Sequence, residues 1–390
     1  MIKSKKLLAA GLAASLVLAA CGDDDEPAAS DDPSEEMSDD MSEEMSDDMS
    51  DDTSEEATTE GGGDMVDGSG VNVGLTFDIG GRGDQSFNDS AAAGIDRAVE
   101  DFGIDFSEAE PNADGSNRAE LLQLQADSSE LVVAVGFLFQ GDVIAVAAEN
   151  PDTNFAVIDD AMLDFDNGGV PFCDNCAGLT FAEEQGSFLV GAAAALNSES
   201  NTLGFIGGVG GFGLIEKFEA GFTAGAQAVN PDITVIPQYI TMAPDFDGFF
   251  AADRAKEIAL AMYDQGADVI YHAAGGSGAG LFEAAKERSE ESGSKVWAIG
   301  VDSDQYNTAD ESVREYILTS MLKRVDNAVY EITEDHLDGS FAAGNTVYDL
   351  STEGVGYSTT GDFLSDEQIA QLEDFKAQII DGTIEVPTAP

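Results

Sequence analysis

Residues 71–102, VNVGLTFDIGGRGDQSFNDSAAAGIDRAVEDF, carry the stretch whose reading decides the fold. Val71–Phe77 is a β-branched and aliphatic run of strand length, closed by Asp78 and a glycine-rich turn. A helical stretch, Ser90–Phe102, follows it. Working outward, the same alternation recurs. Strand-like runs lie at Leu131–Val135, Phe155–Ile158, Leu203–Ile206, Ile233–Tyr239, Val269–His272 and Val296–Val301. Helical stretches lie at Glu183–Leu196, Ile215–Val229, Phe249–Gln265 and Gly280–Ser292. Short apolar runs alternating with longer helices are the pattern of parallel α/β sheets. About 320 residues exceed what one sheet and core hold, so the expectation is an α/β chain of two doubly wound lobes. The first lobe is placed at 71–178 and the second at 179–302, with 303–335 returning to the first and 336–385 to the second.

The N-terminus reads differently. Lys3, Lys5 and Lys6 precede fourteen small and apolar residues, Leu7 to Ala20, and then Cys21. This is the basic and apolar layout of a signal peptide, too short to span a bilayer, which takes about 20 residues. Leu18-Ala19-Ala20-Cys21 resembles a bacterial lipobox, so residues 1–21 are expected to be a lipoprotein signal with Cys21 as the lipidated residue. Residues 22–69 repeat acid-acid-Met-Ser units such as Ser38-Asp39-Asp40-Met41. Such a segment cannot bury enough apolar surface to offset its ordering entropy, and it is expected to be a disordered acidic tether.

The chain carries 77 acids against 16 Lys and Arg, a formal charge of −61. Residues 22–69 hold 21 of those acids and the signal segment 3 of the bases, which leaves 56 acids against 13 bases. A body that acidic excludes a general nucleic-acid binder, since phosphate contacts need clustered Lys and Arg. It also repels anionic ligands at ordinary salt. Cys173 and Cys176, spaced Cys-x-x-Cys in a polar loop, supply at most half a structural zinc site, and a small disulfide is the simpler expectation. No metal and no cofactor are expected.

Ligands of open parallel sheets bind beyond the carboxyl ends of the strands. Asp78 follows the first strand, Asp159 and Asp160 follow Phe155–Ile158, and Asp302 follows Val296–Val301. Nearby lie Phe87-Asn88 and two glycine loops, Gly207–Gly213 with Phe212, and Gly275–Gly280. Carboxylates accept hydrogen bonds from neutral hydroxyls, aromatic rings stack on planar bases, and glycines let the backbone approach a ligand. A neutral molecule with several hydroxyls and one flat face would use all three.

Rival chemistries fit less well. Gly208-x-Gly210-x-x-Gly213 has the dinucleotide spacing, but Ile233–Thr241 lacks the acid that would hold a ribose. Gly275–Gly280 continues into Leu281-Phe282, without the Lys-Ser/Thr of a P-loop. Of two histidines, His272 and His336, neither accompanies a Gly-x-Ser-x-Gly elbow. An acid pair acting on a glycosidic bond stays open as a hydrolase alternative.

The ordered motifs Asp84-Gln85-Ser86-Phe87-Asn88, Gly136-Phe137-Leu138-Phe139, Phe155-Ala156-Val157-Ile158-Asp159, Phe218-x-x-Gly221-Phe222, Gly300-Val301-Asp302-Ser303-Asp304-Gln305 and Thr319-Ser320-Met321-Leu322-Lys323 resemble one family. It is the basic-membrane-protein lipoproteins, also called purine-nucleoside receptor lipoproteins, which serve ABC-type importers. The resemblance covers nearly all of 71–380. It implies a type I periplasmic-binding fold, two lobes joined by three crossovers, and a monomer bound to the membrane through its lipid on the extracytoplasmic face. It also implies a nucleoside ligand, an ABC-type permease as partner, and no enzymatic activity. By the same resemblance Phe87 and Phe212 would sandwich the base, Asn88 and Asp159 would read its edge, and Asp302 and Lys323 would take the ribose hydroxyls, helped by Asp78 and the backbone at Gly276. The stretch Gly207–Phe218 lacks the proline that members often carry there, which bears on Phe212. A sugar receptor, a nucleoside hydrolase and a sensory receptor are the competing expectations.

Overall fold

The computed structural model describes residues 66–390; Cys21, the signal segment and the tether up to residue 65 lie outside the described residues. The chain starts with β1 (Asn72–Thr76), α1 (Phe87–Phe102), β2 (Asp105–Ala109), α2 (Arg118–Ala126), β3 (Leu131–Ala134), α3 (Gln140–Glu149) and β4 (Asn154–Ile158). A two-stranded hairpin, β5 (Leu163–Asp164) and β6 (Val170–Pro171), leads to β7 (Cys176–Phe181). Cys173 and Cys176 are joined by a disulfide at the entrance of that strand.

The second lobe follows with α4 (Glu183–Asn197), β8 (Thr202–Gly210), α5 (Leu214–Val229), β9 (Thr234–Met242), α6 (Ala252–Asp264), β10 (Val269–Ala273) and α7 (Gly278–Ser292). It continues through β11 (Trp297–Asp302), the short α8 (Gln305–Thr308) and β12 (Ile317–Lys323). The last elements are α9 (Val325–Asp338), β13 (Gly344–Tyr348), β14 (Val355–Tyr357) and α10 (Asp366–Ile380).

These strands build two six-stranded sheets, ordered β13-β7-β4-β3-β1-β2 and β14-β12-β11-β10-β8-β9. Every pairing within them is parallel except β12 with β14. Because helices cover both faces, the central strands are buried along their whole length, as in Leu131–Ala134 and Val269–Ala273. That is why they read in the sequence as continuous apolar runs. The edge strand β2, Asp105–Ala109, is largely exposed and carries acids, which blunts edge-to-edge pairing.

The return crossings differ from the sequence expectation. The first crossing falls at Ala182, beyond the end of β7, and β12 stays in the second sheet beside β11. The chain then passes Arg324 into α9 and β13 of the first lobe, and returns through residues 349–354 to β14 and α10 of the second. The boundary at 178, the assignment of 303–335 to the first lobe and that of 336–348 to the second are therefore corrected. Which sheet a strand joins is settled by its ladder partner far away in sequence, and the local pattern of Ile317–Lys323 is compatible with either sheet.

Several glycines of the recurring motifs serve packing. A Cβ at Gly225 would lie 1.9 Å from the Phe188 carbonyl oxygen, and one at Gly221 would lie 2.1 Å from that of Glu184. Helices α4 and α5 therefore touch backbone to backbone, which brings Lys217 of α5 within 2.9 Å of Glu183 at the start of α4.

Candidate functional site

The carboxyl ends of both sheets face one another across a cleft of about 630 Å³, part of it open to solvent. The first lobe contributes Asp78, Asp84, Phe87, Asn88 and Asp159 to its lining, and the second contributes Gly276, Asp302 and Lys323. Seven of the eight residues expected from the sequence therefore share one cavity, and the exception is Phe212.

On the first lobe, Asp84 anchors the turn ahead of α1. Its carboxylate accepts the Ser86, Asn88 and Asp89 amides at 3.0, 2.9 and 3.1 Å. This fixes Phe87 and Asn88 at the helix start. The Asn88 Oδ1 accepts the Asp78 amide at 3.0 Å, which leaves its side-chain nitrogen as the group available to a ligand acceptor. Burial raises the Asp78 and Asp84 carboxyls above the ordinary carboxylate range, against the backbone amides that hold them down.

Asp159 and Asp302, at the ends of β4 and β11, both adopt left-handed backbone angles, φ 67° and 63°. Aspartate is one of the few residues that takes this conformation at small cost, and here it caps the two strands that meet across the cleft. The Lys323 ammonium sits 2.6 and 2.7 Å from the two Asp159 oxygens and 3.7 Å from Glu183. It also lies 4.9 Å from the Phe87 ring and 5.0 Å from the Phe181 ring. Burial pulls this ammonium down, but Asp159, Glu183 and Asp302 together outweigh it and hold the pKa above its ordinary value. Asp302 accepts the Ser86 hydroxyl at 2.5 Å, and burial pushes its carboxyl up to about 6.

Several further bonds run between the lobes. Ser303 donates its hydroxyl to the Ser86 carbonyl at 3.0 Å, while the Gln85 carbonyl accepts Gln305 Nε2 at 3.0 Å and the Thr308 hydroxyl at 3.1 Å. Gln305 is itself held by His272, whose Nε2 lies 3.0 Å from the glutamine Oε1. His272 is fully buried, and burial pulls its pKa to about 4, so it is a neutral structural donor. His336 lies 3.0 Å from the Asn154 side chain, away from the cleft.

The arrangement presents acids, ring faces and an amide to a neutral polar molecule. The Bmp profile, described as ABC transporter substrate-binding protein PnrA-like, matches residues 71–389. The chain belongs to the Bmp family. A Lactococcus lactis Bmp protein called ABC transporter nucleoside-binding protein BmpA is 33% identical, over 82% of this chain and 89% of that protein. Basic membrane protein A of Borreliella burgdorferi is 34% identical over 80% of this chain and 85% of its own length. A solute-binding protein of an ABC transporter system from Aeropyrum pernix superposes with TM-score 0.68 at 28% identity, covering 82% of this chain and 93% of that one. This Bmp protein is thus an extracytoplasmic ABC transporter substrate-binding protein with two α/β lobes, and its family is one of receptors, not of enzymes.

The sequence reading misplaced Phe212. Its ring stacks on Phe137 of the first lobe at 4.9 Å and meets Phe246 edge-on at 5.9 Å. It therefore closes over a ring that lines the cavity without lining it. Residues Gly207–Gly210, read as a loop, are the end of β8, where the missing side chains make room for Tyr239 and Phe249. The rings that do line the second-lobe side are Phe218, Phe249 and Phe250. Phe249 was read as the start of a helix, but α6 begins only at Ala252. Two adjacent phenylalanines ahead of a helix, with no shared apolar stripe to join, were the available signal. We expect Phe212→Ala to speed ligand release about 3- to 10-fold, the size of one lost aromatic pair, with little change in stability. Stopped-flow dissociation measures this. A loss of affinity well beyond that range would restore Phe212 as a ring that stacks directly on the ligand.

Proposed function

We propose that this Bmp protein captures nucleosides, purine nucleosides above all, by closing its two lobes, and delivers them to an ABC-type permease while anchored by a lipid on Cys21. The observation that carries the reading is the convergence of Asp78, Phe87, Asn88, Asp159, Asp302 and Lys323 on one cleft between the lobes. The Lactococcus lactis relative called a nucleoside-binding protein supports it. In this reading the base lies between Phe87 and a second-lobe ring, Phe249 or Phe218, where stacking contributes about 1–3 kcal/mol per base. The Asn88 amide meets an acceptor on the base edge. Asp302 and Lys323 take the ribose hydroxyls, and Asp78 and the Gly276 backbone complete the ring of contacts. Ligand bridging the lobes selects the closed state.

Nucleotides bind poorly in this reading, because their phosphates enter a cleft lined by four acids and one lysine. Calorimetric titration at high salt with inosine, guanosine, adenosine, the matching monophosphates and a set of free sugars tests it. Heat and a thermal shift with the nucleosides alone are expected. Binding of a sugar without any nucleoside would overturn the ligand assignment, and product accumulating during incubation would favour a hydrolase.

A further inference from the structure

Asp78 presents its two carboxylate oxygens to different surroundings. Oδ1 accepts the Ile79 amide at 2.8 Å and lies 3.4 Å from Nη2 of Arg118, on α2. No protein group among the described residues donates to Oδ2. That oxygen faces Gly136, which lines the cavity at φ 112°, and a Cβ there would come within 2.8 Å of it. One oxygen is thus tied to protein and the other is turned toward the ligand space.

Arg118 is not a cavity-lining residue, yet it is placed with care. Its guanidinium lies 5.4 Å from the Phe139 ring, donates to the Gly115 carbonyl at 3.5 Å, and leaves its side chain only 12% exposed. Gly115 is close enough that any Cβ would strike the guanidinium. In a chain with so few cations, one of them is committed to the back of a cleft carboxylate.

We propose that Arg118 is a positioning residue of the binding site: it clamps Oδ1 of Asp78 from behind, so that Oδ2 stands toward the cleft as a charged acceptor for a ligand hydroxyl. The proposal rests on the nucleoside-receptor reading for the ligand and on geometry alone for the clamp. Its electrostatic consequence has a definite sign. Burial raises the Asp78 carboxyl, the Ile79 amide and Arg118 lower it, and the Asp159 carboxylate of the same lobe raises it further. Removing the guanidinium therefore moves the Asp78 titration upward, and the acceptor becomes protonated at a pH where the intact protein keeps it ionised.

The test uses the protein and its Arg118→Met and Arg118→Lys variants at high salt. Asp78 is followed without ligand by carboxyl-carbon NMR on aspartate-labelled protein, with Asp78→Asn supplying the assignment. The Asp78 midpoint is expected to rise by about one pH unit or more in Arg118→Met, and to rise less in Arg118→Lys, which keeps a point charge. Nucleoside affinity measured against pH is expected to fall at least about threefold at neutral pH in Arg118→Met, with its acid-side loss beginning correspondingly higher. An unmoved Asp78 midpoint, or an affinity loss of the same factor at every pH, would overturn the clamp. If the unmodified protein bound no nucleoside, the receptor reading would fail, and the ligand-free titration would still decide the role of Arg118.

Discussion

Lys323→Met is expected to remove about 3–5 kcal/mol of folding stability at neutral pH and to abolish ligand binding. The reason is the company this ammonium keeps. Asp159, within 2.7 Å, and Glu183, at 3.7 Å, have side chains only 6% and 1% exposed, and Lys323 is 3% exposed. Methionine fills the volume but leaves Asp159 without its counter-charge in the cavity floor, while Glu183 keeps Lys217 at 2.9 Å. Losing one partner of a buried pair costs far more than the intact pair contributes, because the desolvated charge remains. Thermal unfolding of both proteins between pH 4 and 8 measures the effect. Equal melting temperatures at pH 7 would show that water or a rearranged Lys217 replaces the ammonium.

Asp302→Asn is expected to weaken nucleoside binding at least tenfold and, at the same time, to stabilise the protein at neutral pH. The carboxyl is pushed up to about 6 by burial, from an ordinary 3.8, so the fold favours its protonated form. A raised carboxyl contributes stability that is fully present below about pH 4 and is lost as pH rises through 6. Above that, the native protein carries a buried charge worth roughly 2–3 kcal/mol of lost stability. Asparagine removes the charge, keeps an acceptor for the Ser86 hydroxyl and tolerates the left-handed backbone angle. The stability gain of the variant should thus grow from near zero at pH 4 to a plateau above pH 7. A variant that binds as tightly as the native protein would take Asp302 out of the site, and a gain independent of pH would remove the burial argument.

Much of this architecture was legible because parallel strands buried on both faces leave an unmistakable trace. All seven strand-like runs read from the sequence are strands, from Asn72–Thr76 to Trp297–Asp302. Two of the strands that escaped notice lack that trace, Asp105–Ala109 as an exposed acidic edge and Gly344–Tyr348 as a half-exposed one, whereas Cys176–Phe181 and Ile317–Lys323 escaped although they are buried. The acids at strand ends were found for the same reason, since open parallel sheets place their ligands there whatever the ligand is. Asp84 escaped because its work is done through three backbone amides, an interaction no residue pattern announces. Phe249 and Phe250 escaped because an aromatic pair beside a helix reads as part of that helix.

From the amino-acid order alone came two α/β lobes, the acid-rich and cation-poor body, and the set of strand-end aspartates. These follow from local periodicity and composition, which act residue by residue. Only the tertiary structure decided where the chain crosses between the lobes, which oxygen of Asp78 is tied down by Arg118, and which rings border the cleft. It also paired Lys323 with Asp159, two residues 164 positions apart. Those outcomes depend on hydrogen-bond ladders, burial and charge pairing between distant segments, and their energies exist only once both lobes are folded against each other.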